Sequence, residues 1–415
     1  MTYRLSVIHS FDPRGAKVGG LETFIRDMIA FLPDDFTFLM IGVDAVGDLE
    51  LGRVTRISFR GREIEFLPVL RYPDDKAREA ATSITQSITF QFMQGLVRHL
   101  PAVRRKLMEV PTSVDLERVE FAPLVRALGI PFVQMLHGEG APKLSMDSLL
   151  RSYRCVHNIN ERLAVMACDR FLCVNPFITE RIRATYPRQA AKIHTLSTWV
   201  DTQTFAPRPF PKDDGFRIAF AGRLDLFKQP PLMMKTVARL REALGAGVEF
   251  HYMGTSDPTR FPEFKLIQDG TVLHGFKDAK GVADVLGSVH AGILTSEFEG
   301  MPFSVLESLG VGRPVVAAHL PQLEAVIKDG VSGRLVERAG SIDAMAVRLA
   351  AAFLDIRERM GSGIITPAGV AAEIRDFTPE RQLARCYENH REIQRARFGA
   401  RLSRLPPQAR RVAVE

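Results

Sequence analysis

Glu299 and Glu307 stand on either side of a glycine turn, in the run Ser296-Glu297-Phe298-Glu299-Gly300-Met301-Pro302-Phe303-Ser304-Val305-Leu306-Glu307. The apolar run Gly292-Ile293-Leu294 ahead of it predicts a buried strand. Val305, Leu306 and Leu309 follow at helical spacing. Pro302 suits the first helical position, where its missing N–H costs no intrahelical bond. The expected local structure is a strand, a tight loop and a helix N-terminus, with one carboxylate before the helix and one in its second turn. A helix N-terminus presents N–H groups and partial positive charge to phosphate. Carboxylates beside it accept hydrogen bonds from sugar hydroxyls. A nucleotide-sugar, with hydroxyls on both sides of its diphosphate, fits that set. Two solvated glutamates on a surface helix fit the same residues, so the rest of the chain must decide.

Three other stretches carry residues of complementary chemistry. Arg223 and Lys228 follow the strand-like Ile218-Ala219-Phe220-Ala221. Arginine is a bidentate fork and lysine a point charge, and the two suit a diphosphate, although surface loops are rich in both. Gly19 and Gly20 end a polar loop after a first strand, where backbone N–H groups can approach a phosphate. This is not a G-x-G-x-x-G fingerprint, and a plain turn fits it equally. His137 follows the strand-like Pro131–Leu136, at the end of a strand where active-site residues concentrate in such sheets. A structural histidine is the commoner case.

The elements that must position these residues alternate. Leu5–His9 reads as a strand, and Leu21–Phe31 as a helix with Leu21, Phe24, Ile25, Met28 and Ile29 on one face. Strands are expected at 36–43, 54–59, 131–136, 171–174 and 192–196. Residues 205–215 are rich in proline and polar residues, as expected of a stiff linker between domains. The rhythm then restarts, with strands at 218–221, 248–253, 272–274, 291–294 and 315–318 and a helix over 230–244. Residues 86–108 are mixed. Leu96, Leu100, Val103 and Leu107 share a helical face interrupted by Pro101, opposite the cations Arg98, Arg104, Arg105 and Lys106. Such a face packs on a core or lies on an anionic membrane.

The chain of 415 residues is long enough for two domains. Its 46% hydrophobic and 25% charged content is that of a soluble globular protein. None of the four cysteines forms a Cys-x-x-Cys pair, which argues against a zinc knuckle or a disulfide framework and suits a reducing cytosol. No secretory leader is expected from the opening residues, and no run approaches the roughly 20 apolar residues that span a bilayer. The net charge of +7 is partly local, with Arg391, Arg395, Arg397, Arg401, Arg404, Arg410 and Arg411 crowded at the C-terminal end. Little aromatic interleaving accompanies these cations, which argues against nucleic acid as the partner.

With these segments together, the chain resembles the retaining GT-B glycosyltransferases of family 4, most closely from Arg217 to Val336. Gly222-Arg223 with Lys228 is similar to that family's G-R-x-x-x-x-K element. Glu299-Gly300 through Glu307, with Ser296 ahead, is similar to its E-x7-E element. Val200-Asp201-Thr202 with Phe205 and Pro207 resembles its V-D-T-x-x-F-x-P signature, and Gly19-Gly20-Leu21-Glu22 its G-G-x-E loop. Two departures stand out. Ser308 replaces the usual alanine after the second glutamate, and His319–Leu323 lacks the common paired glycines, although Glu324 matches.

The resemblance implies an α/β fold of GT-B type, two doubly wound Rossmann-like domains facing across a cleft. The expected divisions are an acceptor-side domain over 1–205, a nucleotide-sugar-binding domain over 206–378, a helix over 379–396 returning to the first domain, and a flexible basic tail over 397–415. By the same resemblance Arg223 and Lys228 bind the donor diphosphate, Glu307 takes ribose hydroxyls and Glu299 hexose hydroxyls. The backbone of Gly300, Met301, Pro302 and Phe303 lies against sugar and phosphate. His137 lies near the anomeric centre, Gly19 and Gly20 beside the phosphates, and Gly275 and Phe276 near the base. The implied activity is hexose transfer with retention from a UDP- or GDP-sugar to a saccharide or lipid-linked acceptor, in exopolysaccharide or lipopolysaccharide assembly. No Asp-x-Asp motif stands near the site, so neither metal nor other cofactor is expected. The expected place of action is the cytoplasm or the inner face of the cell membrane. A GT-B sugar-phosphate synthase or a nucleotide-sugar epimerase is the alternative enzyme reading, and a basic nucleic-acid-binding protein the alternative of another class.

Overall fold

A computed structural model describes residues 2–15, 19–73, 83–138 and 154–402. The chain divides into two compact units. One holds the described residues up to Ser197 together with those from Gln382 onward, and the other is Thr198–Arg381.

The first unit is built on an eight-stranded sheet of β1 (Tyr3–Ile8), β2 (Phe36–Asp44), β3 (Thr55–Phe59), β4 (Arg62–Arg71), β5 (Ser113–Leu116), β6 (Phe132–Leu136), β7 (Arg170–Cys173) and β8 (Ile193–Thr195). Their order is β3-β4-β2-β1-β5-β6-β7-β8. Only the β3–β4 hairpin is antiparallel; every other neighbouring pair is parallel. All six residues of β1 are buried, as expected of a strand whose sheet is covered on both faces. The helix after it runs Gly20–Ala30 and turns Phe24, Ile25, Met28 and Ile29 inward.

The second unit carries β9 (Phe216–Ala221), β10 (Val248–Met253), β11 (Thr271–Gly275), β12 (Ala291–Leu294), β13 (Val315–Ala318) and β14 (Gly333–Val336). Their order is β11-β10-β9-β12-β13-β14, all parallel. Both units are therefore doubly wound, in agreement with the alternation of the sequence. Residues 206–215 form no regular element. They are nevertheless held, because the buried Arg313 guanidinium donates to the carbonyls of Arg208 and Pro209 at 2.9 and 2.7 Å.

Several elements differ from expectation. β4 contains Pro68, which usually argues against a strand. Here the β2–β4 register shifts between Gly42 and Val43, and Pro68 sits at that irregularity, where a missing donor is tolerated. The mixed stretch resolves into two helices, Ile88–Arg98 and Leu100–Glu109, with Pro101 in the first turn of the second rather than inside one long helix. Leu96, Val103 and Leu107 are buried, so this apolar face belongs to the core. β5 and β14 were not anticipated. The C-terminal helix runs Pro379–Leu402, past the expected end at 396. Within the first unit its Tyr387 ring meets Phe36 at 5.1 Å, and Arg391 grips Asp35 with two bonds of 2.8 Å. Arg404, Arg410 and Arg411 lie outside the described residues, as do Glu139, Gly140 and loop residues 16–18. No helix among the described residues is long and apolar enough to cross a membrane.

Candidate functional site

In the second unit β9 and β12 are paired neighbours, so the loops that leave their carboxyl ends meet. β9 is followed by Gly222, whose φ of 142° L side chains rarely adopt. Arg223 then points outward, 76% exposed, and pairs with Asp225 at 2.8 Å. A single 3-10 turn, Leu226–Lys228, and the left-handed Gln229 lead into the helix Pro230–Leu244. The turn folds Lys228 back over the Phe227 ring, which stacks on Phe298 at 4.6 Å. Its Nζ donates to Glu299 Oε1 at 2.8 Å, and Ser296 Oγ donates to the same oxygen at 2.7 Å.

The loop after β12 is pinned along its length. Thr295 Oγ1 donates to the Lys228 carbonyl at 2.6 Å, and the Glu297 N–H to that of Phe227 at 2.7 Å. Gln322 Nε2 donates to the Glu299 carbonyl at 2.7 Å, and Thr198 Oγ1 to that of Met301 at 3.1 Å. Arg338 donates to the carbonyls of Thr295 and Ser296 and to Gln229 Oε1. A loop held by so many donors has little freedom left to lose when a ligand binds.

Pro302 is the residue before the helix, not its first; the helix is Phe303–Gly310. Proline's φ of −73° is paired here with an extended ψ of 122°, so the chain turns into the helix one residue later than expected. No side chain caps the first turn. The Phe303 and Ser304 N–H groups at its start have no acceptor within the helix and suit an anion. Glu307 lies on this helix, half-buried. Ser308 is spent on packing: its hydroxyl donates to the Ser304 carbonyl at 2.8 Å and it faces Gly292. Gly275 closes β11 with a φ of 66°, and Phe276 follows it, exposed.

The first unit carries the other predicted residues. Gly19 caps the helix Gly20–Ala30 with extended backbone and no side-chain bond. His137 follows β6, edge-on to Phe24 with ring centroids 4.9 Å apart. Its Nε2 is hydrogen-bonded to Glu117 Oε2. Burial pushes the imidazole down to about 4, so the ring is neutral at neutral pH. Burial and the adjacent Asp115 push the Glu117 carboxyl well above the usual range.

The fold therefore brings Lys228, Glu299 and Ser296 together, leaves Arg223 on the same loop facing out, and puts Gly275 and Phe276 two strands away from β9. Sequence reasoning missed Gln322 and Arg338, whose donors reach mainly backbone carbonyls and carry no pattern. It also missed Glu117. The alternation Ser113-Val114-Asp115-Leu116-Glu117 is a period-two signal that marks a strand with one polar face.

Two doubly wound parallel sheets in one chain, with pinned loops at the strand carboxyl ends, define a glycosyltransferase fold of the GT-B class. Sucrose-phosphate synthase from Thermosynechococcus elongatus shares it at a TM-score of 0.71 and 15% identity, over 95% of this chain and 100% of that one. Anabaena HepE, solved in complex with UDP and glucose, shares it at a TM-score of 0.65 and 13% identity, over 94% of this chain and 100% of that one. The family model of the glycosyl transferases group 1 matches residues 215–355 of this chain. The chain is similar to D-inositol 3-phosphate glycosyltransferase from Kribbella flavida, 28% identical over 244 residues that cover 51% of this chain and 54% of that protein. The chain thus spans about half the length of this curated relative.

Proposed function

We propose that this glycosyltransferase moves a hexose from a UDP- or GDP-sugar to a hydroxyl of a saccharide or lipid-linked saccharide, with retention at the anomeric carbon and without a metal. The observation that carries the reading is the contact of Lys228 with Glu299 in a pinned loop ahead of an uncapped helix N-terminus. When the donor bond breaks, negative charge develops on the departing diphosphate. Lys228, Arg223 and the amides of Phe303 and Ser304 are the groups that stabilise it, and preorganised donors of this kind are the largest single term in many transfer reactions. Glu299 takes hydroxyls of the sugar and Glu307 those of the ribose. Gly300, Met301 and Pro302 shape the pocket between them, and Gly275 with Phe276 borders the base. In the first unit Gly19 and Gly20 supply amides and His137 a ring nitrogen. The UDP and glucose bound by HepE support a uridine donor.

A thermal-shift screen of UDP- and GDP-sugars tests donor binding, since a ligand at 100 times its dissociation constant stabilises by about 2.7 kcal/mol. Anomeric NMR of the product and turnover in excess EDTA test retention and metal independence. A new glycosidic bond with the donor's anomeric configuration is the expected result. An isomerised sugar nucleotide with no acceptor glycosylated means epimerase chemistry and overturns the reading.

A further inference from the structure

Lys228 is followed by a residue whose backbone runs against its own chemistry. Gln229 stands at a φ of 50° and a ψ of 58°, in the left-handed region. A side chain makes that region costly, and the following Pro230 pushes the residue before it toward extended backbone. Among the described residues only Arg60 also has a positive φ without being glycine. Arg60 lies with Gly61 in the two-residue turn of the β3–β4 hairpin, where that geometry is ordinary. Gln229 has no such turn to explain it. A conformation of this kind persists only where the surroundings over-determine it, and functional sites are where it collects.

The loops after β9, β12 and β14 supply those surroundings. Gln229 Nε2 donates to Glu297 Oε1 at 2.7 Å, in the loop after β12. Gln229 Oε1 accepts from Arg338 Nη1 at 3.1 Å, two residues past β14. The ends of the amide cannot be exchanged: a guanidinium only donates, so the oxygen must face Arg338 and the nitrogen Glu297. Arg338 Nη2 reaches the other way, to the Thr295 carbonyl at 2.8 Å and to that of Ser296. The result is a bridge from Arg338 through Gln229 to Glu297, and both outer members hold or belong to the loop that carries Glu299. Lys228 is enclosed by it. Its carbonyl accepts from Thr295 Oγ1 at 2.6 Å, and the Phe227 carbonyl accepts from the Glu297 N–H at 2.7 Å. The left-handed residue turns the chain immediately after Lys228, and the ammonium is delivered over the Phe227 ring to Glu299.

We propose that Gln229 is a positioning residue: its amide, fixed between Glu297 and Arg338, holds the left-handed turn that aims Lys228 into the donor site, and Arg338 couples that turn to the loop bearing Glu299. The proposal rests on the reading of Lys228 as a ligand of the departing diphosphate. Gln229, Glu297 and Arg338 touch no substrate in that reaction; they act through Lys228. Glycine enters the left-handed region freely and leaves it as freely. Gln229→Gly therefore keeps the fold and gives up the fixing.

The first measurement needs no substrate. The full chain is labelled briefly with acetic anhydride and the acetylation of each lysine is read by mass spectrometry. Lys235 is the reference, on the same helix and paired with Asp343 at 2.8 Å. Relative to Lys235, Lys228 should acetylate severalfold faster in Gln229→Gly and in Arg338→Met, because an amine released from Glu299 is open to the reagent. The unfolding midpoint of Gln229→Gly should stay near that of the parent. With the sugar nucleotide that the thermal-shift screen returns, kcat should fall about tenfold or more in either variant while donor KM changes less than about threefold. The double variant should be no slower than the slower single one, since both changes break one bridge. Lys228 acetylating at the parental ratio in both single variants overturns the proposal, as do rate losses that multiply in the double variant. So does a Gln229→Gly chain that melts earlier with kcat unchanged, which would make the bridge a brace for the fold alone. A chain in which Lys228 is released as expected, but whose parent transfers no hexose, overturns the proposed reaction and upholds the positioning of Lys228.

Discussion

Lys228 Nζ and Glu299 Oε1 lie 2.8 Å apart although 71 positions separate them in the chain. Each is more than four-fifths buried, so the pair is not an ordinary surface ion pair. The lysine is also held over an aromatic ring, and the glutamate carbonyl is tied to Gln322. The two groups are fixed by their neighbours as much as by each other.

Lys228→Ala should therefore act on chemistry rather than on folding. Loss of one preorganised cation opposite a leaving diphosphate lowers kcat by about 100-fold or more. The far-ultraviolet circular dichroism and unfolding midpoint should stay near those of the parent. Turnover at the parental rate would remove Lys228 from the reaction.

Glu307→Ala should act on binding instead. A carboxylate that accepts ribose hydroxyls contributes in ground state and transition state alike, so KM for the donor rises while kcat holds. An increase of about tenfold or more is expected for a lost charged hydrogen bond. Calorimetry with UDP alone should show the same loss, since the ribose is present in both ligands.

Arg313 should matter for stability and not for binding. Its buried guanidinium donates to the carbonyls of Leu286, Arg208, Pro209 and Gly287 at 2.7–3.0 Å. Arg313→Met keeps much of the volume but leaves those acceptors without their donor, at a cost of about 2–4 kcal/mol. Denaturant unfolding should show the second unit melting earlier, with the segment around residues 208–210 the first to lose amide protection.

His290 gives the second unit a pH dependence. Burial, then the nearby Arg217 charge, push its imidazole from the ordinary 6.5 down to about 4, and its Nδ1 accepts the Arg217 N–H at 3.0 Å. The folded unit keeps the ring neutral where the unfolded chain takes up a proton. The stabilisation is complete above pH 6.5 and is lost as pH falls toward 4. Across that window the slope is up to about 1.4 kcal/mol per pH unit for one proton. His290→Asn should flatten the fall in unfolding free energy between those limits, and an unchanged slope would assign the dependence to other groups.

Much of the fold was legible in the sequence because it is local. β12 and β13 are continuous apolar runs, β1, β9 and β10 are apolar strands broken by only one or two polar residues, and the helices Gly20–Ala30 and Pro230–Leu244 keep one apolar face. Those periods follow from side-chain geometry and need no knowledge of neighbours. The loop from Ser296 to Phe303 was also placed correctly, at the end of a buried strand and ahead of a helix. β4 was hidden by Pro68, because a bulge that tolerates a proline depends on the partner strand. The one-residue shift at Pro302 depends on its ψ, which nothing in its own ring fixes.

The sequence by itself determined the alternation of strands and helices, the chemistry near residues 299–307 and the cations near 223–228. Tertiary structure alone decided which of these touch. Lys228 reached Glu299 because β9 and β12 are neighbours in the sheet, and Arg223 on the same loop did not. Asp115 reached His390, 275 positions away, because the last helix packs back on the first unit. Periodicity specifies which face of an element is buried. Which face it meets is set by strand order and by the burial of polar groups that must find partners, and only the folded chain supplies both.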